Sequence, residues 1–367
     1  MDAAQTQGIV MKALLCRIIW GCLFIASSAS AQQRDYFLPK PTMHNYAVIL
    51  GGAAAEKKYG DQIRHWALQL HDILAVDYGY RPEHIILLMG QVEPDDVRIS
   101  GPCRREVIQD KIQALRKVLQ PGDRIFFFLL GHGTADENAA KFVILGPDIT
   151  GQGFAAILGT LPQQYVVVVN TTSTSFPFSH ALSGPGRVII SATRSKAEKY
   201  NTIFAEYFIA ALDKHTGDRD KNRRVSMWEA FLFAGRRVEK WYTDQNRIPT
   251  EHAVLDDNGD GFFSSEPDPA KSDGRLAQIA YLDPLPAERN LEYPPGVDVS
   301  LVNDLTAKIR ELERSVFLLR NRKAELPQAA YQEQMETLLI EIARGSRKLR
   351  RIKPGPNDPS YIAPQES

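Results

Sequence analysis

The chain is predicted to fold as an α/β protein on a mainly parallel sheet with helices on both faces. Short β-rich apolar runs alternate with segments of helical periodicity, the order that yields parallel strands joined by crossover helices. Two of these runs, Arg124-Ile-Phe-Phe-Phe-Leu-Leu-Gly-His132-Gly133 and Tyr165-Val-Val-Val-Val-Asn170-Thr171-Thr172-Ser173, are apolar without alternation, as strands buried on both faces are. Each ends in polar residues, at the point where an α/β sheet presents its chemistry.

Strands are expected near 45–51, 84–89, 124–130, 165–169 and 187–192, with a short one over Lys141-Phe-Val-Ile-Leu145. Helical patterns fall between them, near 61–78, 103–119, 152–160, 174–183 and 201–213. The 367 residues are 44% hydrophobic and 24% charged, enough to bury a full core. With 44 basic against 44 acidic residues there is no global charge bias, which argues against a dedicated nucleic-acid binder. No internal repeat or long low-complexity tract is present.

Residues 1–31 are read as an export signal. Lys12 and Arg17 precede the apolar run Ile18-Ile-Trp-Gly-Cys-Leu-Phe-Ile25, and Ser27-Ser28-Ala29-Ser30-Ala31 offers an A-x-A cleavage site before Gln32. Met11 makes a more conventional start for such a signal than Met1. The run is too short for a permanent span, so a periplasmic or secreted protein with no stable membrane anchor is expected. Cleavage removes Cys16 and Cys22 and leaves Cys103 alone, which rules out an intramolecular disulfide.

His132 stands between two glycines at a strand end, where backbone freedom and close approach suit a catalytic histidine. The motif by itself fits a loop histidine bonded to backbone equally well. The surrounding chain, over about residues 44 to 263, resembles the legumain family of the caspase-like fold. The resemblance rests on six elements in order. Besides the two strands above they are Tyr46-Ala-Val-Ile-Leu-Gly-Gly, Gln62-Ile-Arg-His65 with Leu70-His71-Asp72-Ile-Leu, Pro82-Glu-His84-Ile-Ile-Leu-Leu-Met89, and Val188-Ile-Ile-Ser191-Ala192-Thr193.

That resemblance implies a caspase-like three-layer sandwich with His132 in the catalytic histidine position. In the resembled enzymes the histidine serves a cysteine thiolate, and backbone N–H groups near the nucleophile and after the histidine, here that of Gly133, stabilise the oxyanion. Where those enzymes read Glu/Asp-Ala-Cys-x-Ser-Gly, this chain reads Asn170-Thr171-Thr172-Ser173-Thr174-Ser175, so Thr172 occupies the nucleophile position. A β-branched hydroxyl is far less acidic than a thiol, and thiol-dependent cleavage is not expected. Two readings follow: a pseudopeptidase that binds a peptide or protein without cutting it, or a hydrolase in which Ser173, Thr172 or Thr174 works beside His132. No group that would orient His132 is identifiable in the sequence. Cys103 begins the helix before the His132 strand, where a helix N-terminus and two arginines would lower its pKa. In the resembled fold that helix start lies at the wrong end of the strands, so a plain, partly exposed thiol is expected.

Asp218, Asp220, Asn222, the carbonyl of Arg224, Ser226 and Glu229 fall at positions 1, 3, 5, 7, 9 and 12 of an EF-hand loop between helical patterns at Phe204–Leu212 and Trp228–Trp241. Arg223 stands where the loop wants glycine, and Lys221, Arg223 and Arg224 oppose a dication. Asp256, Asn258 and Asp260 resemble the first half of a second calcium loop, but Pro267 occupies position 12, and an Asp/Asn/Gly turn explains the segment equally well. Ca²⁺ is thus the candidate ligand of both loops, no cofactor is required, and a calcium-stabilised interaction module is a further reading.

Beyond Pro294-Pro295-Gly296, Val302, Leu305, Ile309, Leu312, Val316 and Leu319 make a heptad seam. After a break at Leu326-Pro327 the pattern continues through Tyr331, Met335, Leu338, Leu339 and Ile342. A helical hairpin is expected, packing back on the core or joining another protein or copy; the short seam favours the core. Arg344, Arg347, Lys348, Arg350, Arg351 and Lys353 make a basic end that suits the helix dipole. The expected organisation is signal 1–31, an α/β domain over 32–295 containing loops 218–229 and 256–261, the hairpin over 296–353, and a disordered tail over 354–367.

Overall fold

A computed structural model describes residues 44–91, 96–137, 139–161, 165–284 and 297–352. The signal at 1–31 and the tail at 354–367 lie outside the described residues. The main sheet has seven strands: β1 (Asn45–Gly51), β2 (Ile85–Met89), β3 (Gly101–Pro102), β4 (Arg124–Leu130), β8 (Tyr165–Asn170), β9 (Arg187–Ser191) and β10 (Val254–Asp256). Their order is β10-β9-β8-β4-β1-β2-β3, and every pairing is parallel except β10 with β9.

The alternation of side chains along each strand divides the core in two. Ala47, Ile49, Phe126, Phe128, Val167, Val169 and Ile190 face α1 (Lys57–Val76), α5 (Phe204–Leu212) and α6 (Met227–Asp244). Val48, Leu50, Phe127, Leu129, Val166 and Val168 face α2 (Arg105–Val118), α3 (Gly151–Leu158) and α4 (Ser175–His180). The fold is therefore a three-layer α/β sandwich, and the continuous apolar character of the strands is the direct result of burial on both sides. The helices obey the same logic: Ile63, Trp66, Ala67, Leu70, Ile73 and Leu74 form the buried stripe of α1 at helical spacing.

The strand expected at 141–145 is realised only as β6 (Ala140–Phe142), which belongs to a separate antiparallel sheet with β5 (Gly133–Ala135) and β7 (Ile149–Thr150). It pairs with the segment that follows His132 rather than with a main-sheet strand. Cys103 also differs from expectation. Its N–H bonds to the Met89 carbonyl, so the start of α2 lies at the C-terminal edge of the sheet, not the opposite one. The thiol is fully buried, and burial pushes its pKa up to about 12. Burial, rather than position, makes it unreactive.

The C-terminal hairpin consists of α7 (Val299–Asn321) and α8 (Gln328–Ile352). The seam residues Val302, Ile309, Val316 and Leu319 are buried, and the hairpin packs back on the α/β body. Arg224 anchors it: its guanidinium lies 2.7 Å from Glu313 of α7, 3.5 Å from buried Asp283, and 3.6 Å over the Tyr281 ring. Arg310 adds a bond of 2.9 Å to the Pro284 carbonyl. Removing one member of a buried ion pair strands the other, so Arg224→Ala should lower unfolding free energy by roughly 3–5 kcal/mol in urea titrations. A loss below about 1 kcal/mol, the worth of an exposed pair, would show that the clamp contributes little.

Candidate functional site

The chain runs from β1 outward through β2 and β3, then returns to place β4 on the other side of β1. Such a reversal opens a crevice beyond the C-terminal strand ends. β4 closes there with Gly131, whose φ of 146° and close approach to Gly52, 3.2 Å from where a Cβ would stand, exclude a side chain. His132 follows. Its ring meets Tyr59 edge-on, with centroids 5.3 Å apart at 90°.

Burial lowers the pKa of His132, opposed by the nearby Asn201 side chain and by the charge of Glu56. The imidazole is thus neutral at neutral pH and able to take a proton. Asn201 is a polar neighbour of the ring. It sits in the 192–203 connection between β9 and α5, and no motif marks it.

The structure brings His132, Gly133, Thr172 and Ser173 to one edge. Gly133 must be glycine, because a Cβ would lie 2.1 Å from the Ser173 carbonyl oxygen and 2.7 Å from Thr172 Oγ1. Ser173 Oγ donates to the Gly133 carbonyl at 3.0 Å and accepts the Gly133 N–H at 3.3 Å. Thr172 Oγ1 donates to Asn170 Oδ1 at 2.8 Å, an oxygen that also takes the Thr172 N–H at 3.2 Å. Thr174 holds a left-handed φ of 48° and donates to the Ser173 carbonyl at 2.8 Å. Ser175 Oγ accepts from Ser191 Oγ at 2.9 Å and from the Thr193 N–H at 3.1 Å. Thr172 is 2% exposed, and among the described residues no hydrogen bond joins His132 to Thr172, Ser173 or Thr174.

Two carboxylates secure the connection that carries Asn201. Glu198 accepts the N–H groups of Arg194 and His252, its Oε1 lies 2.6 Å from His252 Nδ1, and its carbonyl takes the Thr174 N–H. Glu251 accepts the N–H groups of Ile203 at 2.9 Å and Phe204 at 3.1 Å, and the Tyr242 hydroxyl at 3.3 Å. Behind Glu251 a cavity of about 580 Å³ opens between α5, α6 and residues 249–253, over Phe204, Phe231 and Val238. Gly235 of α6 widens it, since a Cβ there would meet nothing within 4 Å.

The two candidate calcium loops lie at the opposite edge of the sheet. In the first, one carboxylate oxygen each of Asp218, Asp220 and Glu229 falls within 4.8 Å of the others. Arg223 adopts the left-handed φ of 67° that a glycine would take, so the sharp turn forms without glycine. Asn222 Oδ1 accepts the Arg224 N–H, while the Arg224 side chain turns away into the hairpin clamp. Ser226 and Glu229 form a capping box on α6. In the second loop Asp256 accepts the N–H groups of Asn258 and Gly259 and the hydroxyl of Ser183, and Asn258 donates to Asp260. These are the bonds of an Asx-type turn.

Burial pushes the Glu251 carboxyl up to about 7, so the folded state holds this proton more tightly than the unfolded chain. Stability from that group is complete below the unfolded value of 4.5 and is lost as pH rises through about 7. Asp257, raised to about 6 by burial, acts in the same direction. The melting temperature should therefore fall from about pH 5 to 8, and Glu251→Gln should flatten part of that fall. An identical slope in the variant would contradict the assignment.

No family model and no curated protein matches this chain. Among solved structures it is similar to protein GSU0716 from Geobacter sulfurreducens, 14% identical, over 68% of this chain and 100% of that one, with a TM-score of 0.39. A likeness of that size has no bearing on function.

Proposed function

We propose that this chain is a legumain-like protein of caspase-like fold that acts as a pseudopeptidase, binding a peptide or protein at the His132 crevice without cutting it. One observation carries the reading: the groups at the nucleophile and oxyanion positions are bonded to the chain itself. Thr172 gives its hydroxyl proton to Asn170, and the Gly133 N–H goes to Ser173 Oγ. Export to the periplasm or the exterior belongs to the same proposal, through the signal pattern at 1–31.

The hydroxyl-nucleophile reading fares worse on proton direction. A hydroxyl has one proton to give, and those of Thr172, Ser173 and Thr174 go to Asn170, Gly133 and Ser173, none toward His132. The purified chain should leave a peptide library uncut, with His132→Ala as the matched control. Thr172→Cys brings a thiol to this turn, and an imidazole that faced it would lower its pKa. That thiol should alkylate several-fold faster than buried Cys103 and slow when His132 is also replaced by Ala. If the introduced thiol is indifferent to His132, the two positions do not face one another and the reading fails.

Calcium forms a second reading because Asp218, Asp220 and Glu229 converge within 4.8 Å. Crowding among these carboxylates is visible in Asp220, which burial and the nearby Glu229 raise to about 6. A bound dication would relieve it. Millimolar Ca²⁺ should then raise the melting temperature, and Asp220→Asn, which leaves the Ser226–Glu229 capping box intact, should remove the rise. A melting point flat in Ca²⁺ eliminates this reading.

A further inference from the structure

We propose that two copies of this chain associate antiparallel through the outer faces of their α8 helices. Gly345 fixes the orientation of α8, since a Cβ there would lie 3.0 Å from the Ile309 side chain of α7. Leu338, Ile342 and Leu349 share that inner side by helical spacing. Ile340, five residues back, is turned about 140° from it. It is 42% exposed and its neighbour Leu339 is 49% exposed, with a shallow groove of about 420 Å³ beside them that also involves Met335 and Ala343.

The charges around Ile340 identify the occupant. At four and seven residues before it stand Glu336 and Glu333; at four and seven residues after it stand Arg344 and Arg347. All four are exposed and share the face of Ile340, because steps of four and seven return to one side of a helix. Among the described residues none of these four side chains makes an ion pair within the chain. If α8 is laid antiparallel on a copy of itself with Ile340 opposite Ile340, Glu336 meets Arg344 and Glu333 meets Arg347, and the two-fold axis repeats both pairs. A contact in which each residue finds its partner on the other copy is the isologous arrangement of a two-fold dimer. A parallel pair in register would instead set acid on acid and base on base.

The test uses the full chain in sedimentation equilibrium. The expected result is a dimer in the micromolar range that weakens as salt rises, because the pairs are exposed. Glu333→Arg with Glu336→Arg should give a monomer, as should Arg344→Glu with Arg347→Glu. Mixing those two variants should restore association as a heterodimer, and reversing all four charges in one chain should restore the homodimer. Ile340→Lys should abolish it. These substitutions lie on an exposed helix face, so each variant should keep the wild-type melting temperature within a few degrees. A monomer at every concentration, a dimer indifferent to the single-sign reversals, or failure of the mixed variants to associate would overturn the proposal. So would binding of the monomer to anionic vesicles that depends on Arg344 and Arg347 alone, which would assign this face to a membrane surface.

Discussion

The structure depends first on the burial of β4 from both sides. Phe126 and Phe128 pack into one core and Phe127 and Leu129 into the other, so the strand has no solvent face. Each fully buried phenylalanine contributes roughly 1.5–3 kcal/mol, and a slip of one residue would exchange the two faces at once. That penalty holds the register that sets Leu130 beside Gly51 of β1 and Leu129 beside Asn170 of β8. The position of His132 relative to the 170–175 turn follows from core packing, before any polar contact is made.

With the strand ends fixed, the polar groups beyond them have few choices. The Gly133 backbone and the Thr172–Ser173 turn approach so closely that they must satisfy one another, and Ser173 bonds to Gly133 as both donor and acceptor. Leaving a buried donor or acceptor unpaired costs roughly 1–3 kcal/mol. A substrate carbonyl seeking the Gly133 N–H would have to displace the Ser173 hydroxyl and compensate for it. His132, by contrast, remains half-buried against the Tyr59 ring. The edge as built closes Thr172 off from solvent and leaves His132 partly exposed.

What was legible in the sequence is what burial and short-range spacing dictate. The apolar runs located the five long strands, and the seam from Val302 to Leu319 located a hairpin helix, because each signal is a local record of which face is buried. The convergence of His132 with Thr172 and Ser173 could be inferred for the same reason, from strand ends. Asn201, Glu198 and Glu251 could not, since they act through contacts with residues tens of positions away and carry no periodic or motif signature. Cys103 departs from expectation in place and in exposure: β3 is only two residues long, Gly101–Pro102, too short to read as a strand that carries the start of α2 to the C-terminal edge.

The sheet separates two sets of polar residues that sequence alone leaves undivided. His132, Thr172 and Asn201 gather at the C-terminal edge, whereas the Asp218 loop and the Asp256 turn lie at the other, beyond the ends of α5 and β10. Any event in the 218–229 loop is therefore poorly placed to act on His132 directly. It is well placed to act on the hairpin, because Arg224 contributes its backbone to the loop and its guanidinium to Glu313 and Asp283. The same residue joins the loop's conformation to the seating of α7, and through α7 to the orientation of α8. Coupling between the lower edge and the outer helix thus has a short covalent and ionic route, while the route to the His132 edge runs the whole length of α5 to the connection that carries Asn201.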